Sequence, residues 1–201
     1  MMLVIGGDSF SAETDHCVWH DFFEFHPKKK INLAWHGAGN FYIADSLKQL
    51  VKDNYKIIKK VIVFWSEHHR LDLLVDKPIN RYHRRTPLGC WQFSGGVDNG
   101  TAEWKKIFAN EIKSQGWDTI IKRSINQVKQ TVDLLDTYGV DFNFGFVYSD
   151  EQNNIFFQHK NFIPLVFSQW IQEHNLQGPD GHHPSEEGHR LFAEEIKQYL
   201  G

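Results

Sequence analysis

Apolar residues recur along this chain in two rhythms. Four short runs, Met2–Ile5, Ile31–Trp35, Val61–Trp65 and Phe142–Tyr148, read as buried strands. Between them the spacing changes to a helical one. Ile43, Ala44, Leu47, Leu50 and Val51 share one helix face, and Trp117, Ile120, Ile121, Ser124, Val128, Val132 and Leu135 share a longer one that Gly139 ends. Trp104, Ile107, Phe108 and Ile112 predict a shorter helix broken near Gly116. A last helix carries Phe192, Ala193, Ile196 and Leu200 on its apolar face, with Ser185 as N-cap and Glu186 and Glu187 placed to meet the helix dipole. Strands alternating with helices predict an α/β fold with a parallel sheet covered on both sides. The stretch from about Asp76 to Gly100 follows neither rhythm and reads as a long loop over a site.

Composition narrows the function without naming it. At 201 residues the chain is the size of one α/β domain, and residues 1–201 are expected to form one unit. A formal net charge of -3 provides no global basic field, so nucleic acid is not an expected partner. Two cysteines, Cys17 and Cys90, cannot build a disulfide framework. No apolar run has the ~20 residues of a membrane span, and too few apolar residues precede Gly6 for a signal-peptide core, which makes the cytoplasm the expected location. The 12 histidines include His68-His69 and His182-His183, but none is spaced with a third ligand as a metal site requires, so neither a metal nor another cofactor is expected.

The candidate chemistry lies at the two ends of the chain. Gly6-Gly7-Asp8-Ser9 follows the first strand directly, and Asp180-Gly181-His182-His183-Pro184 precedes the last helix. A serine hydroxyl is a poor nucleophile until a base accepts its proton, and the base needs a partner on its other ring nitrogen. Loops after strand C-termini of an open parallel sheet form the ligand crevice, which is where Ser9 would sit. Asp180 three residues before His183 suits a tight loop folding the carboxylate onto the imidazole, with His182 as the competing base. Asp8 reads as a turn carboxylate accepting backbone N–H groups.

On Gly7-Asp8-Ser9 and Asp180-x-x-His183 the chain resembles the SGNH, or GDSL, hydrolase superfamily. The resemblance implies a three-layer α/β/α fold of flavodoxin-like topology, a parallel sheet of about five strands, and the roles of nucleophile for Ser9, base for His183 and orienting acid for Asp180. It also implies an oxyanion hole made by the Ser9 N–H, the N–H of a glycine after the second strand and an asparagine side chain after the third. In His36-Gly37-Ala38-Gly39-Asn40, Gly39 is the best match for the glycine. The asparagine block is missing, because the third strand runs into Trp65-Ser66-Glu67-His68-His69-Arg70. Asn40 is the first candidate to replace it, Ser66 the second, and Arg70 a further one. The Trp-Ser-x-x-x-Arg arrangement resembles a variant of small, phage-type relatives, for which a virion-associated location is the alternative.

Arg81, Tyr82, His83, Arg84, Arg85, Trp91 and Phe93 mix cations with aromatic rings, and Arg70, Trp91 and Phe93 are the candidate substrate contacts. Ser94-Gly95-Gly96 in the same stretch would allow backbone to approach a ligand. The expected activity is hydrolysis of a small-molecule or glycan ester through an acyl-Ser9 intermediate, with a glycan O-acetyl group as one candidate. Two other readings stay open: a glycan-binding or virion structural module that has lost catalysis, and an acyltransferase using the same triad. Substrate identity and oligomeric state are not legible.

Overall fold

A computed structural model describes residues 1–14, 16–23, 29–79, 83–86, 89–93 and 102–200. The main sheet is all parallel, in the order β2-β1-β3-β7-β8, formed by β1 (Met2–Gly6), β2 (Lys29–Asn32), β3 (Ile58–Trp65), β7 (Phe142–Phe146) and β8 (Phe162–Val166). The inner strands β1, β3 and β7 are mostly apolar and buried because both faces are covered, whereas the edge strand β2 reads Lys-Lys-Ile-Asn and is partly exposed. Successive side chains of a strand point to opposite faces, so Val4, Val61, Val63 and Trp65 enter one core with α1 (Asn40–Asn54) and α3 (Trp117–Thr137). Leu3, Ile5, Ile62 and Phe64 enter the other, against α4 (Phe167–Glu173) and α5 (Glu186–Lys197). In that second core the rings of Phe167 and Phe192 stack 3.6 Å apart.

Four helices lie where the sequence predicts them, and a fifth, the short α4, adds to them. α2 (Ala102–Gln115) and α3 are separated by Gly116, whose φ of +78° is left-handed, and α5 begins at Ser185, whose hydroxyl accepts the Gly188 N–H. Three strand expectations differ. The second run forms a strand over Lys29–Asn32 and stops short of Trp35: beyond it the Leu33 and Trp35 N–H groups still donate to the Ile5 and Gly7 carbonyls, while the Asn32 side chain takes the Ala34 N–H. The fifth strand, β8, contains Pro164, which broke the apolar pattern but is tolerated at a sheet edge.

The stretch read as a loop contains, among its described residues, β5 (His83–Thr86) and β6 (Gly89–Phe93), which pair antiparallel with β4 (Asp72–Val75) in the order β4-β6-β5. Strands this short, bounded by Gly and Pro, give no measurable period. Arg81, Tyr82 and Ser94-Gly95-Gly96 lie outside the described residues.

This topology also places the site. From β1 the chain moves to β2 on one side, then returns to β3 on the other, so the order reverses between β1 and β3. In open α/β sheets the ligand crevice lies at such a reversal, beyond the strand C-termini. The segments that leave β1 and β3 there are Gly7–Ser9 and Ser66–Arg70.

Candidate active site

Ser9 sits in a tight turn. The Asp8 carbonyl accepts the N–H groups of Ser11 and Ala12, each at 3.0 Å, and the Asp8 carboxylate accepts the Phe10 N–H at 3.0 Å. Gly7 is required by close packing, since a Cβ there would fall 2.8 Å from Ser11 Oγ and 3.2 Å from the Phe64 carbonyl oxygen. The loop from α4 to α5 is held as tightly: the Gly178 N–H donates to the His183 carbonyl at 2.7 Å, and both the N–H and the hydroxyl of Ser185 donate to the Leu176 carbonyl. Gly181, at φ +71°, allows the reversal that folds Asp180 back under the loop.

The two loops meet at a hydrogen-bonded chain. His183 Nε2 lies 2.9 Å from Ser9 Oγ, and His183 Nδ1 lies 2.5 Å from Asp180 Oδ2. The other carboxylate oxygen, Oδ1, accepts the backbone N–H groups of His182 and His183 at 3.0 and 2.9 Å. Burial pushes the Asp180 carboxyl up, but these backbone N–H bonds and the His183 ring outweigh it and leave the carboxyl well below the usual range. An ionised Asp180 fixes the Nδ1–H tautomer, so Nε2 is left to accept from the serine. The ring of His182 makes no bond to Ser9 or Asp180; only its backbone takes part.

Beneath Ser9 lies a buried ion pair. Asp8, 0 % exposed, faces Arg70 Nη1 at 3.3 Å and accepts the Ser66 hydroxyl at 3.0 Å. Burial raises the Asp8 carboxyl, while the Arg70 charge and the bonds from Phe10 and Ser66 oppose the rise. Arg70 Nε donates to Glu67 at 2.9 Å, Nη1 also reaches the Ala38 carbonyl at 3.4 Å, and Nη2 reaches the Tyr148 hydroxyl at 3.4 Å. Burial pushes the Tyr148 hydroxyl up to about 12, with Asp8 adding to the rise. Phe10 packs between this group and the triad, its ring 5.7 Å from Tyr148 and 5.3 Å from His183.

No protein-family model matches the chain, and neither does any curated protein. Solved structures do. A protein from Desulfitobacterium hafniense DCB-2, assigned to the lipolytic G-D-S-L family, superposes with a TM-score of 0.51 at 14% identity, over 99% of both chains. The psychrotrophic esterase EstA from Pseudoalteromonas sp., solved with monoethylphosphonate as inhibitor, superposes with a TM-score of 0.56 at 11% identity, over 99% of this chain and 96% of that one. The chain has the GDSL, or SGNH, hydrolase fold.

Within this GDSL fold the donors expected for an oxyanion are differently employed. The Gly39 N–H is bound to both oxygens of Asp72, at 2.9 and 3.0 Å, and Asp72 Oδ2 also accepts the Tyr42 N–H at 3.0 Å. Asp72 therefore caps α1 from another strand, in place of a side chain that Gly39 lacks. Asn40, buried, donates to the Ser66 carbonyl and Ser124 Oγ and accepts the Ser66 N–H. It belongs to a polar core network in which His68 Nδ1 meets Ser124 Oγ at 3.1 Å and His68 Nε2 meets Asn153 Oδ1 at 3.0 Å. The Ser66 hydroxyl is taken by Asp8. These engagements correct the expectation that Gly39, Asn40 or Ser66 offers a free donor. The N–H groups of Ser9 and Gly37, by contrast, have no acceptor among the described residues.

Trp91 and Phe93 are a second correction. Phe93 is 0 % and Trp91 9 % exposed, and both pack edge-on against Tyr42 in the α1 core, because alternation along so short a strand could not show which face is covered. Neither ring is open to a ligand. Trp35, by contrast, lies past the end of β2 and is exposed beside the Ser9 turn. Among the described residues no three His, Cys, Asp or Glu side chains converge as metal ligands, and no helix is long and apolar enough to cross a membrane.

Proposed function

We propose that the protein is a serine esterase that cleaves a carboxylic ester, a sugar O-acetyl group being the substrate class we favour, through an acyl-Ser9 intermediate. The observation that carries this reading is the Ser9 Oγ–His183 Nε2 contact of 2.9 Å continued by His183 Nδ1–Asp180 Oδ2 at 2.5 Å. Ser9 Oγ attacks the ester carbonyl carbon as Nε2 takes its proton; the resulting imidazolium is stabilised by Asp180 and returns the proton to the departing alcohol oxygen. Water then attacks the acyl-serine, with His183 again as base, and releases the acid and free Ser9.

The oxyanion needs donors that are not already spent. The reading assigns them to the Ser9 N–H and the Gly37 N–H. Gly37 stands at φ +76° in the turn closed by the Ala38 N–H on the Trp35 carbonyl, and Trp35 N itself donates to the Gly7 carbonyl, which brings this turn alongside the nucleophile. Arg70 bridges the same turn to Asp8 through Nη1. Each such donor is worth roughly 10²–10³ in rate elsewhere.

A non-catalytic binding module is the second reading, supported by the full engagement of Asn40 and Ser66. Steady-state hydrolysis of p-nitrophenyl acetate separates the two. The esterase reading expects turnover by the wild type and its loss, with unchanged folding, in Ser9→Ala; turnover retained by Ser9→Ala above about a tenth would refute it.

A further inference from the structure

Beside the Ser9 turn lies a cavity of about 310 Å³ lined by Ala12, Glu13, Asn32, Ala34, Trp35, His36 and Arg84. Its walls are tied to the nucleophile through the backbone: Ala12 N donates to the Asp8 carbonyl at 3.0 Å, and Trp35 N to the Gly7 carbonyl at 3.3 Å. Trp35 is 37 % exposed yet fixed, because its indole N–H donates to the His83 carbonyl at 3.2 Å and the Arg84 guanidinium lies 4.5 Å over its ring. Arg84 is held in turn by the Leu33 and Ala34 carbonyls, each 3.4 Å from Nη1, and has no carboxylate partner among the described residues. His36 Nε2 contacts the Glu13 carbonyl at 3.3 Å across the cavity.

We infer that this cavity is the subsite for the alcohol half of the ester, and that the alcohol it takes is a sugar ring laid on Trp35 with Arg84 and the Glu13–His36 wall meeting its hydroxyl groups. The inference rests on the esterase reading for its place in a reaction, but the recognition is a property of the cavity itself. A volume of about 310 Å³ is at the small end of ligand sites. Its lining argues against a fatty acyl chain: an apolar chain would strip water from the polar side chains of Glu13, Asn32, His36 and Arg84 and offer their remaining donors and acceptors nothing in return. Trp35 is the one large apolar surface there, and a rigid indole offers a flat apolar face with little conformational entropy to lose. A sugar has the matching character, with an apolar ring face and hydroxyls around its edge.

The test is direct binding to the Ser9→Ala protein, which cannot consume the ligand. Three partially O-acetylated oligosaccharides, a neutral xylotriose, a chitotriose and an oligogalacturonide, are titrated by indole fluorescence and by saturation-transfer NMR, with p-nitrophenyl octanoate as the apolar competitor. The expected result is binding of at least one sugar ester, weakened at least about tenfold by adding Trp35→Ala and restored to within about threefold by Trp35→Phe, with folding checked by thermal melts. Binding of none of the three, equal binding with and without the Trp35 ring, or preference for the octanoate overturns the subsite. If a Trp35-dependent sugar ester binds while the wild type hydrolyses no ester, the subsite stands and the esterase reading fails.

Discussion

Replacing Arg70 by methionine should cost more stability than any contact Arg70 makes with solvent-facing groups could explain. Asp8 is 0 % exposed, and Arg70 Nη1 at 3.3 Å is its cationic partner. At that separation and an effective dielectric of about 20 the attraction is about 5 kcal/mol, and removing one member of a buried pair costs roughly 3–5 kcal/mol in precedents. The two figures agree, so a loss of about 3–5 kcal/mol is expected near pH 8, a large share of the ~5–15 kcal/mol typical of a domain. Methionine keeps the apolar stem, so the loss reports charge and not volume.

The sign with pH follows from Asp8, whose carboxyl is already raised by burial in the wild type and rises further without Arg70. A raised carboxyl favours folding where it is protonated and loses that contribution as pH climbs through its folded value, so the penalty should shrink toward acid pH. Asp8→Asn added to Arg70→Met should recover much of the loss, because the amide still accepts from Phe10 N–H without carrying a charge. Urea denaturation of the four proteins in this double-mutant cycle measures the coupling. A single-mutant loss below about 1 kcal/mol, or additivity of the two substitutions, would refute the buried-pair argument.

His183→Ala should lower kcat for p-nitrophenyl acetate by several orders of magnitude and His182→Ala by far less, since only His183 reaches both Ser9 and Asp180. Asp72 is raised by burial from 3.8 to about 7, against the bonds from Tyr42 and Gly39 and the charge of Arg70. Its contribution is therefore fully present below about pH 4 and lost as pH rises through 7, by on the order of 4 kcal/mol; Asp72→Asn should flatten the wild-type fall in stability across that window, as read by melts at fixed pH. Phe93→Ala should cost about 3–5 kcal/mol in urea, as a core ring does, and a cost under 1 kcal/mol would return Phe93 to the surface.

What the sequence disclosed was what its local signals could encode. Ser9 after an apolar run, the Ser185 cap and the Asp180-x-x-His183 spacing are all resolved within a few residues, and the two loops come together because the strand order forces them to. The engagement of Gly39, Asn40 and Ser66 is illegible in the sequence for the opposite reason. The Asp72 cap on Gly39 spans 33 positions, the Asn40–Ser66 bonds 26 and the Arg70–Asp8 pair 62, and none of these leaves a mark on its neighbours in sequence. Gly37 and Gly39 are equally plain as letters; only the distant carboxylate shows which amide is spent. Trp35 is exposed and Phe93 buried, the reverse of the sequence reading, because a run of four or five residues does not say where its ladder ends.

The central claim is that Ser9 is an activated nucleophile, and covalent capture tests it most directly. Incubation with a fluorophosphonate, followed by intact-mass and peptide mass spectrometry, should give one adduct per chain on Ser9, none in Ser9→Ala, and far slower labelling in His183→Ala. An unlabelled wild-type protein, or an adduct that persists in Ser9→Ala, would contradict the account.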